Sequence, residues 1–154
     1  MRRHPRPPVS AGRRLVVYAD GGSRGNPGPA AIGALVVDPT TPEAPPLETV
    51  SEAIGVATNN VAEYRALIAG LEAARRQGAD AIEVRADSQL VIRQLQGRYK
   101  VKNEGLRPYY QEAKGLLAGF DSVKLVHVPR EQNVEADALA NAALDAEAEA
   151  GGAR

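Results

Sequence analysis

The sequence predicts an α/β domain: one five-stranded mixed sheet flanked by helices, in the order βββαβααβα. Three observations lead there. Three apolar, β-branched runs with short connections fill the first third, which favours an antiparallel meander. After residue 58 the apolar spacing changes from strand-like to helical. Two later apolar runs are each separated from the strand before by helical sequence, as parallel neighbours require.

Taken in order, residues 1–12 are rich in proline and arginine and read as a disordered basic arm. "RLVVYAD" (14–20) is the first strand, ending at Asp20, and a glycine-rich loop follows. "AAIGALVVD" is the second strand, the proline-rich "PTTPEAPP" a turn, and "LETVSEAIGVA" the third strand. In "NNVAEYRALIAGLEAARRQG", Val61, Tyr64, Ile68 and Leu71 recur at helical spacing; Asn59 or Asn60 is expected to cap the start, and Gly78 suits the end. "AIEVRAD" is the fourth strand, ending at Asp87. A short helix over 88–96 stops at Gly97, a basic linker follows, and a further helix covers 105–119. "SVKLVHV" is the fifth strand and "NVEADALANAALDAEAEA" the last helix. The expected domain spans 13–147, with 148–154 a flexible tail.

Bulk properties narrow the function classes. The 154 residues suffice for one self-supporting core. There are no cysteines, which excludes disulfides and thiolate metal sites and suits a reducing, cytoplasmic setting. No apolar run approaches the roughly 20 residues of a membrane span, and the arginine-rich start lacks the apolar stretch of a secretory signal. A monomer without membrane contact is expected. The 19 basic and 19 acidic residues cancel, but unevenly: "RQLQGRYKVKNEGLR" carries Arg93, Arg98, Lys100, Lys102 and Arg107 against Glu104 alone. Local fields of that kind leave a polyanionic partner open.

The stretch "YADGGSRGNPGPAAIG" poses the central question. Gly21, Gly22, Gly25 and Gly28 suit a backbone that approaches a phosphate closely, yet Asp20 would repel it. Asp87 ends another strand, and parallel neighbours would set the two carboxylates side by side. Glu63 lies at the edge of the apolar stripe of its helix, and Asp137 flanks the face made by Ala136, Leu139, Ala140 and Ala143. Singly, each acid reads as a turn or helix-dipole residue. Four gathered without basic partners would repel one another unless a cation neutralised them, and an all-oxygen set suits magnesium or manganese. The cation would then draw the phosphate in.

These stretches, with "TNNVAEYRAL", "VRADSQLVI" and "REQNVEADALAN", resemble the ribonuclease H family, type 1, over almost the whole chain after the arm. The resemblance implies the ribonuclease H-like fold and hydrolysis of the RNA strand of an RNA–DNA hybrid, with Asp20, Glu63, Asp87 and Asp137 as metal ligands. It implies two Mg2+ ions, Mn2+ substituting, about 4 Å apart, one activating water and one stabilising the leaving 3′-oxygen, with a 5′-phosphate left behind. Asp20 would bridge them, Asp87 and Glu63 on one ion and Asp137 on the other, with Glu63 also near the 2′-hydroxyl that marks RNA. By the same resemblance Gly21 belongs to the substrate loop, and Asn26, Asn59, Asn60 and Gln89 read the RNA strand. Thr58 and Asn103 match a pocket for a DNA-strand phosphate.

Two departures stand out. Val56 occupies the place of that pocket's arginine, which leaves double-stranded RNA open as a further substrate. The mobile histidine of many members has only His127 as a counterpart near the site, six residues before Asn133 but inside an alternating run that reads as strand; His127 is kept as an auxiliary candidate. His4 lies in the arm. The turn "PREQN" instead presents Arg130, expected near the scissile phosphate, as in the compact Val-Pro-Arg subgroup without a basic protrusion. Competing readings are a catalytically silent hybrid-binding module, which would have no use for four such acids, and a nucleotide enzyme, which lacks the P-loop lysine.

Overall fold

The structure, a computed structural model, describes residues 12–152. The expected basic arm therefore lies outside the described residues but for Gly12, and His4 with it. The elements are β1 (Arg14–Ser23), β2 (Gly28–Val37), β3 (Glu48–Ala57), α1 (Asn59–Arg76), β4 (Ala81–Ala86), α2 (Gln89–Leu95), α3 (Arg107–Leu117), β5 (Ser122–His127), a short 3-10 turn (Arg130–Gln132) and α4 (Val134–Gly152). α4 continues past 147 into the segment expected as a flexible tail. Among the described residues no helix is long and apolar enough to cross a membrane.

The sheet runs β3-β2-β1-β4-β5. β1 pairs with β2, and β2 with β3, in antiparallel register, whereas β4 lies parallel to both β1 and β5. Strict alternation decides which face is which. Leu15, Val17 and Ala19 of β1 join Ile32, Ala34 and Val36 of β2 and Ile82 and Val84 of β4 in one buried layer. Tyr64, Leu67, Ile68 and Leu71 of α1, with Ala113 and Leu117 of α3, close it from above. Full burial of a leucine such as Leu67 or Leu71 contributes about 2 kcal/mol. α4 packs on the opposite face, against β2 and β3.

Two glycines set how closely the helices approach. A Cβ on Gly33 of β2 would stand 2.2 Å from the Ala136 carbonyl oxygen and 2.6 Å from the Ala140 nitrogen, so α4 rests directly on the strand backbone. A Cβ on Gly21 would stand 2.1 Å from the Ala62 carbonyl oxygen and 2.8 Å from the Glu63 nitrogen, so the first turn of α1 does the same on β1.

Two expectations are corrected here. β1 does not stop at Asp20; it continues to Ser23, with Gly21 opposite Ile32 and Gly22 opposite Ala31, and the glycine loop shrinks to residues 24–27. Gly21 belongs to the strand and a helix backbone lies against it; Gly22 extends the same pairing. The cap of α1 is Thr58 rather than Asn59 or Asn60: its hydroxyl accepts from the Val61 N–H at 3.2 Å. The helix thus begins one residue earlier, and both asparagines are left to other partners.

Candidate active site

β1 and β4 stay paired through Ala19 and Ala86 and then diverge. Asp20 and Asp87 are the next residues on each strand, so the fork points two carboxylates at one place. Glu63 arrives from the second turn of α1, whose approach to β1 Gly21 admits. Carboxylate oxygens of Asp20, Glu63 and Asp87 all lie within 4.8 Å of one another. Asp137, from the first turn of α4, stands beside Asp20, whose carboxyl it helps to raise, and takes a 3.2 Å bond from the Asn141 amide. All four acids line one cleft of about 310 Å³, together with Gly21, Gly22, Asn59, Arg130 and Asn141.

Burial first, then the Asp87 carboxylate and the contact with Asp137, push the Asp20 carboxyl up to about 8. Burial likewise pushes Glu63 up to about 7; a hydrogen bond from Ser88 works against that shift, the Asp87 charge adds to it, and Arg130 opposes it. The site is short of positive charge. Among the described residues the cation in its lining is Arg130, whose Nε stands 3.7 Å from Asp87 Oδ2 while its side chain is 85% exposed.

Residues behind the acids hold them. Asn133 is buried, and its Nδ2 donates to the Ala19 carbonyl at 2.9 Å and to Asp87 Oδ1 at 3.5 Å, so it ties β1 to the β4 side of the fork. Its Oδ1 has no partner among the described residues. Ser88 caps α2 and also bonds Glu63. Reading the sequence for acids passed over both as supports; the Asp-Ser pair and the asparagine four residues before Asp137 were the available signals.

The polar residues expected around the acids separate into two places. Asn59 faces the acidic cleft, where its Oδ1 accepts from the Ser23 N–H at 2.8 Å and the Ser23 hydroxyl at 3.1 Å. Asn26 and Asn60 instead line a second pocket of about 320 Å³ with Thr58, Asn103 and Gly105. Asn26 Oδ1 accepts from the Asn59 N–H at 3.1 Å, which couples the two cavities. Val56, where a pocket arginine was expected, is 74% exposed. Gln89 is exposed at the start of α2 and lines neither cavity. His127 is the last residue of β5, exposed and outside the cleft. The basic linker forms a separate groove of Tyr99, Lys100, Val101, Lys102, Arg107 and Tyr110.

Comparison with known proteins agrees with this geometry. Residues 18–143 match the family model described as Reverse transcriptase-like. Ribonuclease HI of Halobacterium salinarum is 51% identical over 134 residues, which is 87% of this chain and 66% of that protein. The chain belongs to the ribonuclease H family. The solved RNase H1 of the same archaeon superposes with a TM-score of 0.81 over 86% of this chain and 98% of that one. The N-terminal RNase H domain of Rv2228c from Mycobacterium tuberculosis, 48% identical, gives the same TM-score over 85% and 98% of the two chains. The full-length Bifunctional protein Rv2228c is 49% identical over 140 residues, and this chain spans 38% of its length. LC11-RNase H1, solved in complex with an RNA/DNA hybrid, matches at 42% identity with a TM-score of 0.79 over 86% and 98%.

Proposed function

We propose that this chain is a metal-dependent endoribonuclease that hydrolyses the RNA strand of RNA–DNA hybrids, leaving 5′-phosphate and 3′-hydroxyl ends. The observation that carries the reading is the fork itself: Asp20, Glu63 and Asp87 within 4.8 Å, with Asp137 in the same cleft. The complex of LC11-RNase H1 with a hybrid supports the substrate class.

The donor set fits hard divalent cations. It is all oxygen, it contains no histidine or thiolate, and burial together with the neighbouring Asp87 charge raises two of its members. Asp20, Glu63, Asp87 and Asp137 would hold Mg2+, with Mn2+ as substitute; two such ions, when bound, activate a water and stabilise the departing 3′-oxygen. The chain's own residues do the rest. Asn133 and Ser88 keep two of the carboxylates oriented so that no reorganisation is needed on binding. Glu63 stands where it can also meet a 2′-hydroxyl, the group that separates RNA from DNA. Asn59, with its Oδ1 held by Ser23, offers its Nδ2 to the RNA strand, and Asn26, Asn60 and Gln89 extend that contact. Thr58 and Asn103 offer a hydroxyl and an amide to a DNA-strand phosphate. Arg130, exposed above Asp87, is placed for the scissile phosphate, and His127 at most assists from outside the cleft.

A second substrate, double-stranded RNA, is favoured by one observation: the pocket of Thr58 and Asn103 has no cation among its lining residues. A weak hold on the DNA strand lowers the penalty for replacing it with RNA. The test uses end-labelled hybrid, double-stranded RNA and double-stranded DNA, each with Mg2+, Mn2+ or chelator. Cleavage of hybrid RNA with either metal and none with chelator is expected. Undiminished cleavage in chelator would overturn the metal site, and cleavage of double-stranded DNA would overturn the role of the 2′-hydroxyl.

A further inference from the structure

Arg24 sits at the tip of the β1–β2 hairpin, two residues beyond Gly22 of the cleft wall. Its Nη2 reaches across to Asp145 Oδ1 on α4 at 2.6 Å. Asp145 follows Leu144, which lines the cleft from the other side, one helical turn beyond Asn141. The two residues are 121 positions apart in sequence, so the fold alone sets the contact. The pair thus closes a bridge over one rim of the cleft, between the strand that carries Asp20 and the helix that carries Asp137.

The energetics of this bridge differ from those of the fork beneath it. Both side chains are largely exposed, 46% for Arg24 and 62% for Asp145, so the pair adds little to folding. No helix dipole or buried hydrogen bond requires it. An arginine does, however, form bidentate bonds with carboxylate and phosphate in the same geometry. A polyanion entering the cleft therefore competes with Asp145 for Arg24 on nearly equal terms. The competition favours the incoming phosphate because releasing its counterions adds a gain that the intramolecular pair does not have.

We propose that Arg24 is a substrate-phosphate contact masked by Asp145, and that binding of the nucleic acid exchanges the carboxylate for a backbone phosphate. This rests on the reading of the cleft as a nuclease site, and it adds a residue that tunes affinity. Asp145 acts here only through Arg24. Its effect on binding should therefore vanish when Arg24 is absent.

Dissociation constants for a fluorescently labelled RNA–DNA hybrid are measured by anisotropy in chelator, across a salt series, for the parent, Arg24→Ala, Asp145→Asn and the double variant. Thermal melts of each show that the fold is retained. Asp145→Asn should bind about 3–10-fold more tightly, and Arg24→Ala correspondingly more weakly, with the slope of log affinity against log salt reduced by about 1. The double variant should match Arg24→Ala. If Asp145→Asn tightens binding equally in the Arg24→Ala background, Asp145 acts as a general repulsive charge and the exchange is refuted. Unchanged affinity in both single variants refutes it as well. Failure of the parent to bind hybrid at all, with Ca2+ in place of chelator as well, would instead remove the nuclease reading, a separate outcome.

Discussion

Replacing Gly21 by alanine tests whether the approach of α1 to β1 builds the acidic site. The new Cβ would lie 2.1 Å from the Ala62 carbonyl oxygen and 2.4 Å from its carbon, where ordinary contact begins at 3.4 Å. Both atoms are helix backbone, so no side chain can swing aside, and the first turn of α1 must retreat by roughly 1 Å. Overpacking of this kind costs about 3 kcal/mol, which for a domain of this size lowers the melting temperature by roughly 5–12 °C. The same retreat carries Glu63 away from Asp20 and Asp87, so Mg2+ affinity should fall at least about tenfold and turnover on the order of 100-fold. Gly22→Ala is the matched control: its Cβ would meet nothing nearer than Asn59 Oδ1 at 3.8 Å, and its stability should equal the parent's. Melts in chelator and a Mg2+ titration read the first two quantities. If Gly21→Ala melts with Gly22→Ala and binds Mg2+ like the parent, close approach at this position does not position Glu63.

Three further outcomes follow from the same structure. With Asp20 raised to about 8 from an ordinary 3.8, the native protein holds that proton more tightly than the unfolded chain does. Its contribution to stability in chelator is therefore full below pH 3.8 and lost as pH rises to about 8. Asp20→Asn should flatten that loss, raise stability at pH 8 by on the order of 1 kcal/mol after solvent screening, and abolish both turnover and stabilisation by Mg2+; melts at pH 5 and 8 with and without metal decide it. Asn133→Ala removes its bond to the Ala19 carbonyl and frees Asp87, so it should cost about 1–3 kcal/mol and weaken Mg2+ binding roughly tenfold, measured by denaturation and metal titration. Val56→Arg adds a cation beside the pocket of Thr58 and Asn103, and should tighten hybrid binding about 3–10-fold over double-stranded RNA, read as a ratio of dissociation constants.

Much of this was legible in one dimension. Strand and helix patterns come from side chains that must face one layer, so the apolar run "RLVVYA" locates the start of β1, and the spacing of Val61, Tyr64, Ile68 and Leu71 locates α1, to within a residue or two. The convergence of the four acids was legible because each follows an apolar run or flanks an apolar stripe, positions that local pattern reveals. Cysteine-free composition settled that no disulfide or thiolate metal site contributes.

Other features depended on who neighbours whom. Gly21 and Gly22 carry no side chain to report whether they turn or pair, and only the pairing with β2, with α1 resting on Gly21, shows them as strand. Thr58, Asn59 and Asn60 are all competent caps, and the choice among them followed from where β3 releases the chain. Sequence alone could not divide Asn59 from Asn26 and Asn60 between two cavities, nor join Arg24 to Asp145 across 121 positions. Periodicity is a property of neighbours along the chain, whereas the distance between two strands, or between a hairpin tip and a distant helix, is set only when the sheet closes and its layers come to rest.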